Sequence, residues 1–270
     1  MTRRSSALSP RRIGALVLRY WYLLLGSWPR FVELAYWPTV QMILWGFITQ
    51  FFYTHSSWVM QAFGVLLAAV LLWDTLFRAE IGFSISFLEE MWSRNLAQLF
   101  VTPLRPYEFV FALMSMSLIR TLIGVVPAML LAIPLYRFSI FDLGPSLIVF
   151  FANLMVTGWV VGLLVISLIL RHGLGAESLA WLIVFALAPL SGVYYPIDTL
   201  PGWLQPVSWA LPTSHVFEGM RAVLIENTFR ADLLVNAAGL NLLYLAIATA
   251  TFLRTFRVAR ERGLLLQIGE

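Results

Sequence analysis

Residues 146–170 read SLIVFFANLMVTGWVVGLLVISLIL, and this uncharged stretch decides the fold class. A helix needs about 20 predominantly apolar residues to cross a bilayer core of about 30 Å. Because hydrocarbon offers no hydrogen-bond partners, the backbone of such a segment must satisfy its own polar groups, as a helix does. The stretch therefore predicts a membrane-spanning helix in an all-α membrane protein.

Five more stretches have comparable length and apolar content. They cover residues 31–53, 58–77, 109–135, 178–195 and 233–252, so the sequence predicts six spans. The composition agrees, since 60% of the residues are hydrophobic and only 12% are charged. An ordinary soluble domain has roughly 25% charged residues. The numbers argue against a soluble globular enzyme.

Two residue types are missing from the sequence. It has no cysteine and no lysine, so all 18 basic residues are arginines. Without cysteine there is no disulfide, thiolate metal site or cysteine nucleophile. Without lysine there is no Walker A phosphate loop of the usual form and no Schiff-base lysine. His55, His172 and His215 lack metal-ligand spacing, so we expect no metal, no cofactor and no catalytic activity in this chain.

The distribution of arginines predicts the orientation in the membrane. With the N-terminus inside, fourteen of the 18 arginines fall on the cytoplasmic side. Only Arg137, Arg221 and Arg230 fall outside, and Arg120 lies within a span. Cytoplasmic segments carry an excess of arginine and lysine. We therefore expect a multi-pass protein of the inner (plasma) membrane with both termini in the cytoplasm.

Both ends of the chain are basic. Residues 1–30 predict an amphipathic helix on the cytoplasmic membrane face, and the alternative is a positively charged anchor without a further role. The tail, residues 254–270, extends the last span to where anionic lipid would hold it. On a helical wheel of the first segment, the two faces consist of Ile13, Val17, Tyr20 and Leu24 on one side and Arg11, Arg12 and Arg19 on the other.

The connection between the second and third spans also carries polar residues. Residues 88–100 predict a short amphipathic helix, and Pro103 and Pro106 end it and turn the chain back into the membrane. The alternative is a solvated interfacial loop. The predicted faces of this helix are Leu88, Trp92, Leu96 and Leu99 on one side and Glu90, Ser93, Arg94 and Ala97 on the other.

The external segment, residues 191–230, is too apolar for an ordinary loop and too often interrupted by proline to form a span. Irregular backbone at membrane depth is tolerated only where protein or water covers it. We expect a pair of short helices that is either re-entrant or lies on the membrane surface, with Trp203 and Trp209 at the headgroups. The prolines that divide the segment are Pro196, Pro201, Pro206 and Pro212.

Two motifs in order resemble the ABC-2 type transporter permeases. Leu88-Glu-Glu, followed by Leu96-Ala-Gln-Leu-Phe-Val-Thr-Pro-Leu-Arg-Pro-Tyr-Glu108, is similar to the coupling-helix region of that family. Gly192-Val-Tyr-Tyr-Pro-Ile, with Leu200-Pro-Gly-Trp-Leu and Leu211-Pro-Thr-Ser-His-Val, is similar to the segment before its final span. One departure is Asn95, near which members often carry a Gly-Thr pair. The resemblance extends over nearly all of residues 1–270 and implies one transmembrane domain.

The resemblance implies a permease subunit that dimerises and recruits two cytoplasmic ATPase subunits, which would bind the ATP and Mg²⁺. It also implies an exporter of a lipid-linked or amphipathic molecule, a glycan or a drug. Membrane lipids would be partners and nucleic acid would not. In domain terms, spans one to three occupy residues 31–135 with a coupling helix at about 87–106, and spans four to six occupy residues 146–256. A non-transporting scaffold or assembly factor of the same topology is the alternative function, and a membrane-embedded enzyme is a third.

The resemblance also suggests which residues would act. The coupling surface would consist of Leu88, Glu89, Glu90, Trp92, Arg94, Leu96, Leu99, Thr102, Pro103 and Arg105, and the external re-entrant segment would use Tyr194, Tyr195, Pro196, Trp203 and Pro212.

Arg120 is an ionisable residue deep within the third predicted span. Such residues are functional candidates because a charge in hydrocarbon is costly. Arg120 would face the pathway and attract an anionic substrate group or pair with a carboxylate. The alternative is a structural pairing with a polar side chain such as Asn153. Four carboxylates are expected near cytoplasmic span ends, where capping or snorkelling would explain them, namely Glu33, Asp74, Glu80 and Glu177.

Overall fold

The computed structural model describes residues 8–55 and 63–263, and within them every regular element is helical. The predicted all-α fold is confirmed. The α-helices are α1 (Pro10–Leu25), α2 (Trp28–His55), α3 (Phe63–Trp92), α4 (Leu96–Val101), α5 (Pro106–Tyr136), α6 (Pro145–His172), α7 (Ser178–Leu190), α8 (Gln205–Trp209), α9 (Pro212–Glu226) and α10 (Ala231–Glu261).

Three of these helices, α5, α6 and α10, are long and apolar enough to cross a membrane. They contain the third, fourth and sixth predicted spans. The first predicted span lies within α2. The second begins in residues 58–62, outside the described part, and the helix that continues it, α3, extends to Trp92 rather than ending near residue 77. Asp74 and Glu80, which were expected near a span end, are buried within this long helix.

The fifth predicted span, residues 178–195, is wrong as a single helix. Helix α7 has 13 residues and ends at Leu190, which corresponds to about 20 Å at 1.5 Å per residue. The following residues form turns, and Gly192 has a φ of +61°. The hydroxyl of Tyr195 donates to the carbonyl of Pro189 at 2.7 Å and folds these turns back onto the end of α7.

The core of the bundle is the contact between α3 and α6. A Cβ atom at Gly158 would lie 2.5 Å from the Cβ of Ala79 and 2.9 Å from the carbonyl oxygen of Leu76. At Gly162 it would lie 2.8 Å from the ring of Phe83. Small residues permit such close approach between helices in a membrane, where dispersion contacts replace the hydrophobic effect between helices. Helices α5 and α2 pack on α3, while α10 and α9 pack on α6.

Replacing Gly158 with leucine is expected to destabilise the bundle by about 3 kcal/mol, since the new side chain must push α3 and α6 apart. The apparent Tm in detergent should fall by roughly 6–12 °C. Gly239→Leu is the matched control, because a Cβ at Gly239 would meet no heavy atom within 4 Å. Equal Tm changes in the two variants would contradict the close packing of α3 on α6.

Candidate functional site

The end of α3 turns where the sequence predicted a continuous helix. Arg94 has a φ of +54°. The N–H of Arg94 donates to the carbonyl of Met91 at 3.0 Å, and that of Asn95 donates to the carbonyl of Glu90 at 3.0 Å. This pair of bonds is a Schellman motif, which ends a helix at a left-handed residue. The predicted helix over residues 88–100 is therefore wrong: α3 ends at Trp92 and the short α4 begins at Leu96.

Three glutamates gather at this end of the bundle, and each is bound by arginine. Glu108 is fully buried in the first turn of α5. It accepts hydrogen bonds from Arg12 at 2.8 Å and 2.6 Å, and from the backbone N–H groups of Ser9 and Arg105 at 2.9 Å and 3.1 Å. A bidentate arginine–carboxylate pair fixes both position and orientation. Glu108 therefore joins the start of α1 to the start of α5.

Glu90 joins α1 to the end of α3. Its Oε1 atom forms an ion pair with Nη1 of Arg19 at 2.7 Å, although the two atoms are not hydrogen-bonded. The Nη2 atom of Arg19 donates a hydrogen bond to Oε2 at 3.1 Å. Asn95 donates its side-chain amide to Oε2 at 3.0 Å. Burial, followed by the charge of Glu90, raises the pKa of the nearby Tyr20 hydroxyl, which therefore stays protonated. Glu90 does not pair with Arg94, although the two are spaced i, i+4.

Glu89 joins three helices. One oxygen is 3.2 Å from Arg30 at the start of α2, and the other is 3.0 Å from Arg120 of α5. Helical side chains tilt toward the helix N-terminus, so Arg120 extends from the middle of α5 toward the end where α3 stops. Its guanidinium is buried. This carboxylate therefore connects the end of α3 to a residue deep within α5.

The partner of Arg120 is not Asn153. Asn153 is bonded to α10 instead: the side-chain amide of Asn241 donates to the side-chain and backbone oxygens of Asn153, both at 3.0 Å. Thr157 completes this contact by donating to Asn241 at 2.8 Å. A pairing of Arg120 with Asn153 is wrong, whereas a structural ion pair involving Arg120 is present with Glu89.

Exposure divides the predicted coupling residues into two groups. Glu89 and Arg105 are only partly exposed, and Arg105 precedes the first turn of α5. The buried or core-packed residues are Leu88, Glu90, Leu96 and Leu99, and the exposed ones are Trp92, Arg94, Thr102 and Pro103. Gln98 and Val101 are also exposed but were not predicted, because a single continuous helix would have placed its faces differently. We call Trp92, Arg94, Gln98, Val101, Thr102 and Pro103 the α3–α4 surface.

A family model described as ABC-2 type transporter matches residues 13–225, which is most of the chain. The chain belongs to the ABC-2 type transporter family. A search of curated proteins finds no match. As an ABC-2 protein, it is a multi-pass membrane protein and the transmembrane component of an ABC transporter, a family whose permeases normally partner with ATP-binding subunits. The matched region includes the α3–α4 surface and the three glutamates.

The external segment of this ABC-2 domain contains the short helices α8 and α9. Tyr194 stacks on Trp45 of α2 with ring centroids 5.0 Å apart. Pro212 is the first residue of α9, whereas Trp203 is exposed. Tyr195 bonds to the end of α7, as described above, and Pro196 precedes a short 3-10 helix. Helices α8 and α9 thus lie in the segment for which short helices were predicted.

A charged clamp that the sequence did not predict holds the external segment together. Glu218 accepts from the backbone N–H of Ile197 at 2.8 Å and from Arg221 at 2.8 Å and 3.2 Å. Nearby, burial lowers the pKa of His215, whose Nε2 lies 2.9 Å from the carbonyl oxygen of Trp209. The i, i+3 spacing of Glu218 and Arg221 on one helix could have predicted their ion pair, but not the bond from Ile197.

Proposed function

We propose that this protein is the permease subunit of an ATP-driven exporter, in which two copies form the pathway and two separate ATPase subunits supply the energy. The observation that carries the proposal is the α3–α4 surface. It exposes a tryptophan, an arginine and apolar side chains next to an end of the bundle that is tied together by three arginine-bound glutamates.

This arrangement suits the transmission of force. The Schellman turn joins the α3–α4 surface directly to α3, so a push on this surface acts on the end of that helix. At that end of α3, Glu90 forms an ion pair with α1, and Glu89 forms ion pairs with α2 and with Arg120 of α5. Buried ion pairs resist separation, since removing one partner leaves an uncompensated charge. Helices α1, α2, α3 and α5 would therefore move together.

The energy would come from a separate ATPase subunit. The sequence has no lysine and hence no Walker A loop of the usual form. ATP and Mg²⁺ would bind in the partner ATPase, and this chain would hold no cofactor. The α3–α4 surface would be the contact, with Trp92 and Arg94 as its central side chains, since these two residue types dominate the energetics of many protein interfaces.

The topology that best fits this role has six crossings, made by α2, α3, α5, α6, α7 with the turns after it, and α10. Helix α3 contains charged residues, but two of them neutralise each other, because Arg78 donates a hydrogen bond to Asp74 at 3.0 Å. The arginine bias places both termini in the cytoplasm, and α10 ends in a basic stretch containing Arg254, Arg257 and Arg260. The N-terminal helix α1 would lie at the cytoplasmic interface of the inner membrane.

The external segment is consistent with an amphipathic or lipid-linked cargo, a glycan or a drug. It presents an exposed tryptophan, Trp203, beside short helices rather than a large extracellular domain. Such a segment would lie near the headgroups, where amphipathic cargo leaves the bilayer.

Reconstitution tests the proposed function. Proteoliposomes that contain the protein with its ATPase subunit should move a labelled lipid-linked glycan or amphipathic drug only when ATP is present. Proteoliposomes with the permease alone should neither hydrolyse ATP nor move cargo. A complex that assembles and hydrolyses ATP but moves none of these cargo classes would favour the scaffold function and contradict the exporter.

A further inference from the structure

A groove of about 440 Å³ runs between α1 and α5. Ile13, Val17, Leu18 and Trp21 of α1 line one wall, and Ile119 of α5 lies on the other. The lining is almost wholly apolar. An apolar groove on a membrane protein is a place where lipid can pack against helices.

The groove is held open by the opposite face of α1. On that face Arg12 and Arg19 bind Glu108 and Glu90. These contacts fix α1 in place without closing its groove side onto α5. A Cβ atom built at Gly14, in the groove wall, would meet no heavy atom within 4 Å.

A positive charge flanks the groove. Arg11 is exposed and shares a side of α1 with Leu18, seven residues along the helix. Among the residues that the structure describes, no carboxylate forms an ion pair with Arg11, in contrast to Arg12 and Arg19. An occupant with an anionic group beside its apolar part would therefore find a matching charge here.

We propose that the acyl chain of an anionic membrane phospholipid occupies this groove, with its phosphate at Arg11. The groove volume of about 440 Å³ would hold roughly fifteen groups the size of a water molecule, at about 30 Å³ each. This is comparable to the volume of the methylene groups in one lipid acyl chain. The proposal rests on the membrane location of the family and is independent of the proposed export.

Photocrosslinking tests this lipid site. The full-length protein would be placed in nanodiscs that contain either phosphatidylglycerol or phosphatidylcholine with a photoactivatable acyl chain, and labelled peptides would be mapped by mass spectrometry. We expect phosphatidylglycerol to label residues 10–21 and 115–119. Gly14→Trp, which fills the groove, should reduce that labelling at least fivefold, whereas Gly239→Trp on an open face of α10 should leave it unchanged. Arg11→Gln should remove the preference for the anionic lipid.

Several results would overturn the proposal. These are an absence of lipid label in α1 and α5, equal labelling of Gly14→Trp and Gly239→Trp, or crosslinks from these residues to a second protein chain in place of lipid. Equal labelling by the two lipids in the unmodified protein would overturn the role of Arg11. If Gly14→Trp lowers the Tm, Leu18→Gln serves as a second variant with the same expected loss of label.

Discussion

Arg120→Gln is expected to destabilise the folded protein by about 3 kcal/mol. Loss of one partner of a buried ion pair costs about 3–5 kcal/mol because the other charge stays buried and uncompensated. The lower end applies here, since Glu89 keeps the more exposed Arg30 as a neighbour. The apparent Tm of the nanodisc-embedded protein should fall by roughly 6–12 °C.

A double-mutant cycle separates this ion pair from a role of Arg120 in the pathway. Adding Glu89→Gln removes the unpaired carboxylate, so the double variant should be more stable than Arg120→Gln alone. Arg171→Gln, at an exposed arginine near the end of α6, is the control and should leave the Tm unchanged. Additive losses in the double variant would contradict the pairing. A variant with normal stability but no transport would instead favour a pathway role.

Trp92→Ala combined with Arg94→Glu is expected to weaken binding of the ATPase subunit about 30-fold. The reason is that truncating a central interface residue typically costs about 2 kcal/mol or more. Both side chains are exposed, so the Tm should remain close to that of the unmodified protein. The measurement is a titration of the soluble ATPase onto the nanodisc-embedded permease.

The matched control for this surface is Trp203→Ala. Trp203 is also an exposed tryptophan, but it lies in the external segment at the opposite end of the bundle. Its replacement should leave ATPase binding unchanged. Unaltered binding in the Trp92→Ala and Arg94→Glu variant would contradict the assignment of the α3–α4 surface. Substitution of Glu90 is less informative, because its buried carboxylate holds α1 and α3 together and its loss would disturb both.

The long helices α2, α5, α6 and α10 could be predicted from the sequence because their apolar runs are long. Residues 146–170 contain no charge, and α6 covers them fully. Helix α3 was underestimated at its C-terminal end, since Asp74, Arg78 and Glu80 reduce the apparent hydropathy that marks a span. In the structure Asp74 and Glu80 are buried, and the partly buried Arg78 is bonded to Asp74. Side-chain pairing of this kind cannot be read from hydropathy.

The sequence predicted which residues form the coupling region but not the turn that divides it into two helices. The turn at Arg94 was missed because a left-handed residue that ends a helix is usually glycine, and sequence spacing alone favoured a continuous helix. The three arginine-bound glutamates were missed for another reason. Arg12 and Glu108, or Arg19 and Glu90, are far apart in sequence, and only the packing of α1 brings them together.

Co-purification is the most direct test of the account. The tagged protein would be purified from membranes in which the ATPase subunit is co-expressed, and the bound subunits would be counted by native mass spectrometry. We predict a complex of two permeases and two ATPases, which is lost in the Trp92→Ala and Arg94→Glu variant and retained in Trp203→Ala. A permease that purifies without any ATPase, or whose ATPase contact is unaffected by changes in the α3–α4 surface, would contradict the claim that a separate motor drives this protein through that surface.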